Sequence, residues 1–274
     1  MRFLLVVPLL VSATTWAAQP AAPPSDLVHK VIANELRIES NDHTHWMYQV
    51  VNNIPAPRKT KIVVETTSGD VTYLDAIDGR PLTVQQRKDE NERVQRFIHN
   101  PDEQRKARQA GQSDDRQSSE LFAMLPDAFL FQFAGSTGDE TKLTFHPNPN
   151  FTTHSSSAYV FHKMDGSLVV NTKENRLVEI SGQLTNGVAF LGGLLGHLDP
   201  GGTFDVRRQE IAPSYWAITK LKVNMNGKIL FFKTIAVQQD ESHSDFRRIP
   251  DSTTLTQAEA LAEKRSATPS AHGS

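Results

Sequence analysis

The chain has 274 residues, enough for one large β-rich domain or two small ones with a real core. Hydrophobic residues make up 38%, mean hydropathy is -0.42 and formal net charge is -2. That composition is of a soluble globular chain, and a near-neutral charge gives nucleic acid or an anionic membrane nothing to attract. There is no cysteine, so disulfides are excluded and the core alone must hold the fold.

The N-terminus begins with Arg2, an apolar run from Phe3 to Val11, and Thr15-Trp16-Ala17. This order reads as an export signal cut after Ala17, residues 1–17, and predicts a periplasmic protein. The apolar run is shorter than the roughly 18–20 residues that span a bilayer, so no transmembrane anchor is expected. No cysteine follows the cut to carry a lipid. Residues 18–24 are a Pro/Ala linker, and residues 25–250 are expected to form a single domain.

Ser25 is placed to cap a helix reaching about Glu39, with Leu27, Val28, Val31, Ile32 and Leu36 on one stripe. Such a stripe needs a sheet to lie on. A three-strand meander follows: the alternating run around Trp46–Val51, then Lys61–Thr67, then Val71–Ile77 after the turn Ser68-Gly69-Asp70. Residues 81–125 are a charged helical excursion. Thr83 caps its first helix, Asn100-Pro101 ends it, and a second runs on until Pro126 stops it.

The second β block opens on Ala128–Ala134, where Phe129, Phe131 and Phe133 share a face, and returns through Lys142–Phe145. Ser155–Met164 fits either period, and its flanks favour a strand. Asp165-Gly166 and Asn226-Gly227 read as hairpin turns. Between and beyond them Ser167–Asn171, Arg176–Leu184, Gly187–Leu191, Gly202–Ile211, Tyr215–Asn224 and Lys228–Val237 read as strands. Residues 251–274 hold a last helix, about Leu255–Lys264, and a tail. The count is about eleven strands, an α+β chain dominated by one large antiparallel sheet.

No G-x-S-x-G elbow, phosphate loop or zinc-type histidine spacing occurs. His43-Thr44-His45 lacks a third ligand apart from Asp42. The chain is read as non-enzymatic and cofactor-free. The apolar candidates for a ligand wall are Phe129, Phe131, Phe133, Phe190, Trp216 and Phe231, since an acyl chain needs a surface with few polar groups. The same residues also read as sheet–helix core, which is where aromatic stripes usually lie. Leu194 and Leu195, inside the glycine-rich run Leu191–Gly196, read as a flexible lid or as a plugged turn.

Several stretches carry a resemblance: DGRPLT at 78–83, FHPNPNF at 145–151, KMDGSLVVN at 163–171, RLVEISGQL at 176–184 and the long run 188–234. Together they are spread between residues 78 and 234. With the order helix, sheet and helical excursion behind an export signal, the chain resembles the LolA/LolB/RseB-like periplasmic lipoprotein carriers and sensors. It looks most like exported proteins common in acidobacteria. The resemblance implies an incomplete β-barrel, a curved sheet covered on its concave face by helices. It also implies a cavity holding an acyl chain or lipoprotein lipid, with an envelope protein as a possible partner. The alternative is an interaction scaffold or sensor with a filled core and no ligand.

Overall fold

A computed structural model describes residues 23–155, 157–190, 196–229 and 233–267. The segments expected to be an export signal and a tail, and most of the expected linker, therefore lie outside the described residues. The first helix, α1, is Pro24–Asn41. Its cap is Pro23, with no side-chain bond, rather than Ser25; a proline at the first helical position supplies the right φ and lacks only a donor that is orphaned anyway. The meander follows as β1 His45–Ile54, β2 Lys59–Val64 and β3 Val71–Ile77, with the two-residue β4 Arg80–Pro81 at its edge.

Helix α2, Val84–Ile98, starts on a capping box between Thr83 and Gln86. Helix α3, Pro101–Ala128, is capped by Asn100, whose Oδ1 accepts the amides of Asp102 and Glu103. Pro126 does not stop α3. It lies buried inside the last turn, and the helix ends two residues later, where β5 Phe129–Thr137 begins.

The remaining strands are β6 Glu140–Pro147, β7 Met164–Asn171, β8 Arg176–Leu184, β9 Val188–Phe190, β10 Gly196–Leu198, β11 Thr203–Ala212, β12 Tyr215–Ile229 and β13 Lys233–Ile249. Helix α4, Leu255–Ser266, closes the described chain. Thirteen strands form one open antiparallel sheet in the order β4-β3-β2-β1-β13-β12-β11-β8-β7-β6-β5, with β10 and β9 as a side branch on β12. The expected large antiparallel sheet is present, and it is not closed into a barrel.

Three expectations need correcting. Ala158–Lys163 is a 3-10 helix, not a strand. Asp165-Gly166 and Asn226-Gly227 are not turns; each lies inside a strand, β7 and β12. The glycines serve close approach instead. A Cβ at Gly166 would collide with the Ser181 carbonyl oxygen and the Phe145 ring, and one at Gly227 with the His197 carbonyl and the Leu198 Cα of β10. An Asn-Gly or Asp-Gly pair marks a turn only where nothing packs over the glycine.

The sheet has two cores, on opposite faces. Registers place Met47, Ile62, Val64, Val71 and Tyr73 on one face of β1–β3, where α2 and α4 cover them through Val94, Leu255, Ala258 and Ala262. Following the pairs across β13, β12, β11 and β8, this is the face that carries Lys220, Lys222, Asp205, Arg207 and Glu179. These form cross-strand ion pairs in solvent: Lys220–Asp205 at 3.4 Å, Lys222–Asp240 at 3.8 Å and Arg207–Glu179 at 3.3 Å. Exposed pairs of this kind add little to stability and keep the face wet. The other face holds the larger core: Phe129, Leu143, Phe145, Leu168, Val170 and Leu177, covered by α1, the end of α3 and the 3-10 helix.

Candidate functional site

On the face of the larger core, the helical cover stops before the middle of the sheet. There the strands alternate between wet and half-dry. In β12, Leu221, Val223 and Met225 are half-buried while Lys222 and Asn224 between them are exposed. Phe204 and Val206 of β11 are half-buried in the same way, and register sets Phe204 opposite Val223 and Val206 opposite both Leu221 and Ile180. Phe204, Met225 and Ile180 pack against the larger core, so the strip runs outward from it without a polar break.

The strip is bounded on both sides by polar side chains. Toward β1 stand Glu241 and His243, 3.3 Å apart, with Tyr48 stacked on His243 and on Phe246 at centroid distances of 5.6 and 5.1 Å. His243 holds the Glu241 carboxyl below its ordinary range against the opposing effect of burial. Toward α1 stands a buried charge cluster. Arg176, 3% exposed, grips Glu35 in a bidentate pair at 3.0 and 3.1 Å. Arg208 Nη1 adds a contact of 2.6 Å, and the Leu177 amide donates at 2.7 Å. Burial alone raises the Glu35 pKa, but the two guanidinium groups and the amide outweigh it, so the carboxyl stays below its ordinary value.

The predicted wall residues separate. Phe129 is 3% exposed and packed against Phe145 and Phe161 at centroid distances of 4.5 and 5.3 Å; it is core. Phe131 is half-buried beside it, and Phe133, on the same face, is 52% exposed beyond the cover. Trp216 lies elsewhere, at the start of β12, donating to Glu174 at 3.0 Å beneath the Arg176 guanidinium. Phe190 is placed by its backbone in β9 opposite Gly196; its side chain, Leu194, Leu195 and Phe231 lie outside the described residues. Sequence reading found the strands that hold Phe204, Val206, Leu221 and Val223, but it ended the second of them at Asn224, one residue before Met225, and alternation cannot tell which face goes uncovered.

Among the described residues no three histidine, aspartate or glutamate side chains converge as a metal site, and no helix is long and apolar enough to cross a membrane. His45 lies 3.6 Å from Asp251, paired away from His43. Two open hollows, of about 430 and 260 Å³, flank α4 near Leu261 and near Tyr73 and Arg87; they belong to the smaller core and include none of the predicted wall. Comparison with family models, with curated proteins and with solved structures finds no match.

One carboxyl of the meander, just after β2, has an unusual pKa. Glu65, half-buried next to β1, accepts the Trp46 amide at 2.9 Å. Burial pushes its pKa up to about 7; the Trp46 bond opposes this and nearby Asp70 and Asp42 add to it. A folded-state pKa above the unfolded one means the native state holds the extra proton. Stability is therefore expected to fall as pH rises from about 4.5 to about 7. Melting temperatures across that range should show the decline, and Glu65→Gln should flatten it. A variant with the unaltered slope assigns the dependence to another group.

Proposed function

We propose that this chain is a non-enzymatic, exported binding protein that holds an apolar ligand, an acyl chain or lipoprotein lipid, on the half-buried strip of β11 and β12. The observation that carries the reading is the strip itself. Phe204, Val206, Leu221, Val223 and Met225 form a continuous apolar floor, half open where the helices end and bordered by charged residues. An acyl chain laid there gains about 0.8 kcal/mol for each CH₂ removed from water, while polar borders discriminate against ligands with polar bodies. The periplasmic, LolA-like reading draws on the leader and on the motif resemblance.

The test is titration with a fluorescent fatty acid, together with native mass spectrometry of protein purified from an envelope fraction. Leu221→Glu and Val223→Asp place a charge on the floor of the strip without touching the buried core, and each is expected to weaken uptake at least tenfold. Uptake by both variants equal to that of the parent would remove the ligand from this strip. A protein that carries no lipid and ignores added fatty acids would favour the scaffold reading. The stretch 109–118 of α3, exposed along its length, is then the surface for an envelope protein partner.

A further inference from the structure

The charge cluster beside the strip does not balance. It holds two guanidinium groups, Arg176 and Arg208, and one carboxylate, Glu35. Among the described residues no other carboxylate comes within ion-pair distance of either arginine. Glu210 and Glu174 are engaged elsewhere, with the Ser214 amide at 2.8 Å and the Trp216 indole at 3.0 Å. Glu35 has no acceptor capacity left, since its roughly four lone-pair sites are all engaged. Oε1 takes Arg176 Nε and the Leu177 amide, and Oε2 takes Arg176 Nη2 and Arg208 Nη1. A charge drawn out of water is stabilised only by a partner, and here one positive charge is in surplus.

The surplus falls on Arg208. Arg176 is enclosed and spends its Nε–Nη2 edge on Glu35. The Arg208 side chain is 20% exposed and gives Glu35 a single nitrogen, Nη1. Its Nη2 makes only a long bond to the Trp216 carbonyl, at 3.4 Å, and among the described residues its Nε–H has no partner. The edge with which Arg176 grips a carboxylate is thus almost idle in Arg208. Its contact with Glu35 of α1 puts Arg208 on the face of the larger core, after Phe204 and Val206 on the same strand. Two strand residues set its Cα about 7 Å beyond that of Val206.

We propose that Arg208 binds the carboxylate of a free fatty acid whose chain lies on the strip; this rests on the strip being an acyl-binding floor. A carboxylate fits the guanidinium edge in shape and the surplus in charge. A phosphomonoester, with about two charges, would leave one unpaired. An acyl chain held as an ester or amide, as in a lipoprotein, carries no charge at that end.

Equilibrium dialysis of the full chain against radiolabelled dodecanoic acid and against methyl dodecanoate tests this. The parent should bind the acid at least about tenfold more tightly than the ester, the ratio that one charge-assisted hydrogen bond gives. In Arg208→Gln the two should bind alike. Circular dichroism checks that this variant folds, since the substitution also takes a partner from Glu35. Arg208→Lys keeps a charge beside Glu35 but loses the planar edge, and should cut the ratio severalfold. Equal binding of acid and ester by the parent would overturn the proposal and leave the acyl-binding reading standing. A preference that survives undiminished in the folded variants would also overturn it, by moving the head group away from Arg208. A parent that binds neither compound would overturn the acyl-binding reading, and this proposal with it.

Discussion

Glu35→Ala is expected to be among the most destabilising single substitutions in the chain, at about 3–5 kcal/mol. The carboxylate is 5% exposed and Arg176 is 3% exposed. Removing Glu35 leaves the Arg176 guanidinium buried with only a long bond to the Ser214 carbonyl, at 3.3 Å, and its position over Trp216. It also frees the Leu177 amide and removes the ionic link from α1 to β8 and β11. Taking the pair out together, as Glu35→Leu with Arg176→Met, should recover most of the loss, because no uncompensated charge then remains. Urea midpoints of the single and double variants measure this; a double variant as weak as the single would mean that packing, not charge, sets the cost. The pH sign follows from the lowered Glu35 pKa. Its contribution is complete above the unfolded carboxyl value and is lost as pH falls through the folded one.

Gly166→Val is expected to cost more than the 1–3 kcal/mol usual for overpacking. A row of two glycines flanked by two rings crosses four strands: register sets Phe145 opposite Gly166, Gly166 opposite Gly182, and Gly182 opposite Phe204. Each ring lies over a neighbouring glycine, so that a Cβ at Gly182 would come to 2.5 Å from Phe204 Cε1 and one at Gly166 would strike both Phe145 and the Ser181 carbonyl. Backbone cannot yield as a flexible side chain does, so Gly166 has less latitude than Gly182. Thermal melts of Gly166→Val and Gly182→Ala should rank in that order. A Gly166→Val protein melting within a few degrees of the parent would show that the sheet shifts to admit the side chain.

These glycines also explain what sequence could and could not show. Strand β8 was legible to the residue, because the apolar residues of Arg176–Leu184 are bounded by turn residues on both sides, and α2 was legible from Thr83 and the apolar residues Val94, Phe97 and Ile98. Gly166 and Gly227 misled, since a turn glycine and a glycine under a ring look alike until the ring is placed. The second half of β13 escaped notice because residues 238–245 are polar on both faces. It is held by its ladder with β1 and not by burial of one face. The Phe129 face was recognised as apolar, but whether an apolar face is core or groove depends on where the helices stop, and that is decided by Glu35, Arg176 and Arg208, three residues distant in sequence.

The two cores on opposite faces have a mechanical consequence. The α1 and α3 side and the α4 side are each a packed block, while β11–β13 between them are joined chiefly by hydrogen-bond ladders and by ion pairs in water. Flexing of that middle plate would change the distance between the blocks without opening either interior. Helix α3 spans the gap, touching α2 near the Ser68 turn, where Arg108 donates to the Ser68 carbonyl at 2.8 Å, and α1 further along, where Ser119 donates to Glu39 at 3.3 Å. Between those two contacts its exposed, charged length makes, among the described residues, one side-chain bond to the sheet side, from Gln117 to Ser157 at 2.9 Å, and a stiff helix so pinned would limit how far the plate can bend.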